Sequence, residues 1–192
     1  MNVFGIKLIG GEKMRKVLTL AIIGITLVGN TAIAATKTTT PDWVVQNKKV
    51  TPGALNKNVT QANIATTVCK SGWTATIRPT TTYTNKLKDQ QLATTYKSYV
   101  AIWGPTPGAY EEDHLISLQL GGDPSSEKNL WPQPYADNGA RKKDVLETAL
   151  KRLVCAGTIK LVDAQKAILN WPVAYKKYVT PADAKAPDTS DN

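Results

Sequence analysis

Between Asp113 and Val154 the chain changes once from a two-residue period to a period near 3.6, with a glycine pair and a proline at the change. His114, Ile116, Leu118 and Leu120 alternate with Asp113, Leu115, Ser117 and Gln119, as in a strand whose successive side chains face opposite sides. Gly121-Gly122-Asp123-Pro124 turns the chain. Leu130-Trp131-Pro132 reads as a short returning strand stopped by Pro132. From about Ala140, residues Val145, Leu146, Ala149, Leu150, Leu153 and Val154 recur at helical spacing. A hairpin running straight into a helix is the unit on which the remaining segments must pack.

Those segments predict an α+β domain over residues 50–180. Val50-Thr51-Pro52-Gly53 signals a turn, and Asn63 to Cys69 reads as a short helix or turn. Trp73 to Arg78 alternates with β-branched residues and predicts a strand ended by Pro79. Thr84 to Tyr99 carries Leu87, Leu92 and Tyr96 among polar residues and predicts one surface helix. A further helix is expected from Val162 to Asn170, capped by Asp163 and ending before Pro172. Residues 35–49, which open Thr-rich, read as a flexible leader, and residues 181–192 as a disordered tail.

The N-terminus reads as an address. Met14-Arg15-Lys16 precedes the apolar run Val17 to Val28, and Ala32-Ile33-Ala34 has the small-x-small form of a signal-peptidase site. Residues 1–34 are therefore expected to be a signal peptide with an upstream extension, leaving an exported chain of 158 residues, secreted or periplasmic. The apolar run is too short to anchor the mature protein in a membrane. Removing Lys7, Lys13, Arg15, Lys16 and Glu12 from 24 basic and 15 acidic residues leaves 20 against 14. Such a surplus suits a polyanionic partner, and equally serves only to keep an exported protein dispersed. Cys69 and Cys155 are the only cysteines, and in an oxidising compartment they are expected to form a disulfide.

His114 is the only histidine, and it follows Glu111, Glu112 and Asp113. If imidazole accepts a proton here near neutral pH, no other residue can supply it. Phosphodiester hydrolysis needs an activated water and a counter-charge for the phosphate; imidazole suits the first, and a hard cation on carboxylate or amide oxygens suits the second. Two features oppose that reading. Asp113 and His114 should face opposite sides of a regular strand, and flanking acids should raise the imidazole pKa and keep it protonated unless a cation opposes them. Taken alone, a histidine beside acids is well explained as the start of a strand. Asn129 is equally well read as a turn residue, and Trp131 as core.

The string EEDHLISLQLGGDPSSEKNLWPQPY, with KKDVLE downstream, resembles the HNH-type, or ββα-metal (His-Me finger), endonucleases, particularly small secreted bacterial members. The flanks VTQANIATTVCKSGW and VCAG are also similar to those members, so the likeness spans most of the mature chain. It implies a ββα-metal hairpin and helix with additional helices. It also implies a monomer that cuts DNA, and RNA as a further substrate, with little sequence preference and with Mg2+ or Mn2+. Carried onto this chain, it makes His114 the general base, with Asn129 holding the imidazole through a side-chain hydrogen bond. Asp113 and Asn138 would contact the metal, and Glu147 would orient water bound to it. Arg78, Arg141, Lys142 and Lys143 are the candidate phosphate contacts. One departure stands out. Related members show Asn-Ala-His ahead of Lys-Asp where this chain reads NGARKKD, so that, counting back from Glu147, Arg141 takes the histidine slot. A guanidinium is permanently cationic and cannot be a metal ligand. The alternative is an exported protein on the same fold that binds nucleic acid or an anionic envelope polymer without cutting it.

Overall fold

Strands β1 (Tyr110–His114) and β2 (Leu130–Pro134) form an antiparallel pair with Tyr110 opposite Pro134, Glu112 opposite Pro132 and His114 opposite Leu130. The computed structural model describes residues 42–136 and 138–185. The expected signal peptide and most of the tail lie outside them. Pro132 does not stop β2. The flanking bonds Leu115 N–H to Asn129 O (2.7 Å) and Tyr135 N–H to Ala109 O (3.0 Å) show that odd-numbered residues face the partner strand. Pro132 and Pro134 therefore turn their missing N–H groups away from the ladder, where an edge strand tolerates them. Among the described residues the sheet has two strands, so β1 has an edge that no described strand covers.

β1 ends at His114 rather than continuing to Leu120, because side chains take over from the ladder. The Asn129 carboxamide accepts from Ile116 N–H (2.9 Å) and donates to Ile116 O (3.0 Å) and Asp123 O (2.9 Å). Ser117 Oγ caps Gln119 N–H (3.1 Å), starting a 3-10 turn over Leu118–Leu120. Gly122 lies so close beneath this bend that a Cβ there would stand 1.7 Å from Ile116 O. The Gly-Gly pair is thus a steric requirement as well as a turn.

Among the described residues six α-helices surround the hairpin: α1 (Trp73–Ile77), α2 (Thr81–Ala93), α3 (Lys97–Trp103), α4 (Ala140–Cys155), α5 (Leu161–Ile168) and α6 (Trp171–Tyr178). The segment expected as a strand over Trp73–Arg78 is α1, closed between left-handed Gly72 and Pro79, with no neighbouring strand to accept its backbone. The single helix expected over Thr84–Tyr99 is two, α2 and α3, broken at Thr94, whose ψ of −92° leaves the helical region. Pro172 opens α6 instead of only ending α5, because proline in a first helical turn lacks an N–H that would have no intrahelical partner. Asp163 lies in the first turn of α5, whose cap is Lys160.

Helix α4 buries Leu146, Ala149, Leu150 and Val154 against Leu161, Ala164, Ile168 and Trp171 of α5 and α6, with Ile116 and Leu120 from the bend. Tyr96, Leu115 and Trp131 form a second core with Val44. Val44 is 1% exposed and its N–H bonds to Asn138 O, so the leader expected over residues 35–49 is packed from residue 43 onward. The tail is likewise held as far as Asp183, which pairs with Arg152 at 3.0 Å. The expected disulfide joins Cys69 to the last residue of α4, Cys155, across 86 residues. Among the described residues no helix is long and apolar enough to cross a membrane.

Closing a loop of that length stabilises the fold by roughly 4–5 kcal/mol in the chain-entropy model. Cys69→Ala/Cys155→Ala is therefore expected to lower unfolding free energy by about 2–5 kcal/mol in urea titration. A loss under about 1 kcal/mol would show that α4 does not depend on the bridge.

Candidate active site

Four consecutive residues, Glu111, Glu112, Asp113 and His114, line one small polar cavity of about 20 Å3 that opens to solvent. Neighbours on a strand face opposite sides, so all four can share a cavity only along the strand's free edge. That edge is where β1 meets α4. Ser117, Leu118 and Gln119 close one side; Asp144 and Glu147 come from α4, and Arg78 from the end of α1. Asp113 and His114 thus meet without a distorted strand.

His114 is 6% exposed, and its Nε2 lies 2.9 Å from Pro124 O. A carbonyl only accepts, so Nε2 carries the proton and Nδ1 the lone pair. Burial is the largest influence on the imidazole and pulls its pKa below the ordinary value. Pro124 O and Asp113 push upward, while Arg78 and Lys143 add to the lowering. The expectation that the acids hold this ring protonated is therefore reversed. Asn129 is fully buried, and its side-chain hydrogen bonds go to backbone groups rather than to the ring. Its carboxamide spans Ile116 and Asp123, holding the loop whose next residue, Pro124, presents the carbonyl to His114.

Lys143 is not a phosphate contact. It is fully buried, and three oxygens surround its ammonium. His114 O at 2.7 Å and Glu147 Oε1 accept its hydrogen bonds, and Asp113 Oδ2 pairs with it by charge at 2.7 Å. Burial alone would lower its pKa, but the carboxylates of Asp113 and Glu147 more than offset this and hold it above the ordinary value. Even-numbered residues of β1 turn their carbonyls to the free edge, so Lys143 closes that edge at His114 while fixing one oxygen of each acid. Ser117 also hydrogen-bonds Glu147.

The remaining carboxylates have fewer partners. Glu111 Oε2 and both oxygens of Glu112 are buried atoms without a hydrogen bond among the described residues. Burial, followed by the Asp113 charge, pushes Glu112 up to about 9; burial and neighbouring carboxylates also raise Glu111, Asp144 and Glu147. Hard oxygen donors with excess negative charge fit a divalent cation of the Mg2+ type. Among the described residues, however, no three His, Cys, Asp or Glu side chains are grouped as a ready cage. Water would have to complete a coordination shell. Asn138 does not join this cavity, because its amide donates to Asp42 O at the start of the chain's packed segment. The α4 residues that do join are Asp144 and Glu147.

Arg78 lines the cavity, whereas Arg141 does not line it but reaches one of its acids, lying 3.2 Å from Asp144 Oδ2 and over the Tyr135 ring. Lys142 lies over Trp43 and Tyr175 instead. Sequence reasoning passed over Glu111, Glu112, Asp144 and the burial of Lys143. A signal was present: Lys143, Leu146, Glu147 and Leu150 follow the i, i+3, i+4, i+7 stripe, so two charges occupy core positions of an amphipathic helix. The chain matches no protein-family model, no curated protein and no solved structure.

Two outcomes are expected. Carboxylates with raised folded-state pKa values bind more protons folded than unfolded, so stability falls as pH rises from the ordinary carboxylate range to about 9. Below the ordinary histidine value of 6.5, neutral His114 opposes this trend. Melting temperature without divalent cations should therefore fall between pH 6.5 and 9, and millimolar Mg2+ should flatten the fall; a rise over that range would contradict the charge assignment. Asn129→Ala removes the side-chain partner of four backbone groups, Ala54 N–H, Ile116 N–H, Ile116 O and Asp123 O, and should cost at least about 2 kcal/mol in denaturant unfolding.

Proposed function

We propose that the protein is an exported, metal-dependent endonuclease that hydrolyses phosphodiester bonds in DNA, and in RNA as a further substrate, with little sequence preference. The observation that carries this reading is His114: a buried imidazole in its neutral range, its tautomer set by Pro124 O, inside a cavity of under-partnered carboxylates. Its likeness to the ββα-metal endonucleases in sequence adds to this. The disulfide suits an oxidising compartment.

His114 Nδ1 accepts a proton from the attacking water, and the resulting imidazolium is stabilised by Asp113 nearby and by the Nε2–H bond to Pro124 O. Arg78 gives the cavity a permanent cation to face a phosphate. Lys143 and Ser117 hold Glu147 in one orientation, and Asn129 keeps the Pro124 loop in register. Asp113, Glu111, Asp144 and Glu147 are the residues that would hold Mg2+ or Mn2+. When bound, the cation supplies charge neutralisation at the phosphate.

The competing reading is a non-catalytic nucleic-acid-binding protein. It draws on the lack of a three-residue cage among the described residues and on Lys143, a built-in cation between Asp113 and Glu147. Plasmid nicking separates the two. Wild type is expected to cut with Mg2+ or Mn2+ and to stop with EDTA, and His114→Ala to cut about 10²–10⁴-fold more slowly. Equal cleavage by both proteins would rule out the general base, and retardation of DNA without cleavage would favour the binding protein.

A further inference from the structure

Lys142 follows the cavity's neighbour Arg141 and precedes its buried ammonium, yet it serves neither. One step along a helix turns a side chain by about 100°, which carries Lys142 round α4 toward α6. There its ammonium lies 5.3 Å from the Trp43 ring centroid and 5.6 Å from that of Tyr175. Lys176 of α6 lies 5.9 Å from the same Trp43 ring. Two like charges therefore share one indole. No carboxylate of the described residues pairs with either lysine.

Stability does not account for this arrangement. Lys142 sits in the first turn of α4, which has no acidic residue and where the helix dipole disfavours a cation. Trp43 is held edge-on against fully buried Trp171 at 5.1 Å, so the platform is rigid and anchored in the core. The attraction of an ammonium for an aromatic face would be gained by a single lysine as well. A second one adds repulsion that only an anion relieves. An anion spanning both ammoniums gains a preformed pair of positive charges, and a phosphodiester backbone offers charges in series.

We propose that Trp43, Tyr175, Lys142 and Lys176 form a second polyanion-binding surface, outside the cavity, which grips the phosphate backbone of a nucleic acid. None of the four lines the cavity. The assignment of nucleic acid rests on the proposed function; the surface itself rests on the lysine pair. It allows a long substrate to stay bound while a different stretch of it enters the cavity.

The test is binding of a fluorescein-labelled DNA duplex by anisotropy in EDTA, where no cleavage is needed. Lys142→Gln/Lys176→Gln is expected to weaken binding about tenfold at 0.1 M salt and to reduce the log–log salt slope by about 1–2, since each phosphate contact contributes about 0.9. Lys142→Arg/Lys176→Arg should keep both values, which excludes loss of fold as the cause. Lys57→Gln/Lys70→Gln removes the same charge from other exposed positions and should have a clearly smaller effect. An equal effect there, or none in the Lys142/Lys176 variant, overturns the proposal. So does a variant that keeps DNA affinity but no longer sediments with phosphatidylglycerol vesicles, because the surface would then belong to lipid headgroups. Failure of plasmid nicking in a protein that passes this test removes the nuclease reading and leaves the surface standing.

Discussion

The structure depends on one buried ammonium. Removing a lysine charge from water costs several kcal/mol, which is recovered only if oxygens surround it. Lys143 meets that condition with His114 O, Asp113 and Glu147. The consequence is architectural. Helix α4 cannot leave the free edge of β1 without stranding a charge, and β1 cannot shift by one residue without presenting an N–H where Lys143 needs a carbonyl. At its far end α4 is tied to the Cys69 segment by the disulfide. A helix fixed at both ends against a two-stranded sheet is a stiff wall for a cavity, although the sheet alone would be marginal.

Periodicity made the hairpin, α4 and the disulfide legible, because each rests on spacing or count. The end of β1 was not legible, because alternation continues past His114 in the letters while the Asn129 carboxamide replaces the ladder in space. The Trp73–Arg78 segment misled for a related reason. Its β-branched residues suit a strand, but a strand needs a partner, and backbone hydrogen bonds within five residues can only be helical or turn-like. In the candidate site, Asp113, His114 and Arg78 were legible as a group and Asn138 was not. Position at a helix start says nothing about which side of the helix a side chain leaves. The same limit separates Lys142 from Lys143, adjacent in sequence and on different faces.

The protonation state of His114 shows which effect wins when two oppose. Counting charges along the chain places three acids before it and predicts a protonated ring. Burial acts on the imidazole more strongly than those acids, because Glu111 and Glu112 are themselves pushed toward the neutral form and Asp113 is paired with Lys143. A protonated acid no longer stabilises a neighbouring cation, and one paired with another cation still does so but does not outweigh burial. The acidic run thus stops acting as a set of counter-charges once it is enclosed, and a neutral imidazole in such company is self-consistent.

The distribution of charge carries this further. A basic chain has gathered Glu111, Glu112, Asp113, Asp144 and Glu147 around one cavity that Arg78 also lines, with Arg141 and Lys143 paired to three of these acids. Enclosure pushes most of these acids toward their neutral forms, so the cavity holds little free charge until a divalent cation displaces their protons. Under the proposed reading, substrate attraction and catalysis are therefore divided. Long-range attraction must come from lysines elsewhere on the surface, and the cavity accepts a phosphate only when a divalent cation enters with it. Carboxyl groups that stay near neutral until a cation takes their protons are then what makes cleavage depend on metal, while binding of the polymer depends on salt.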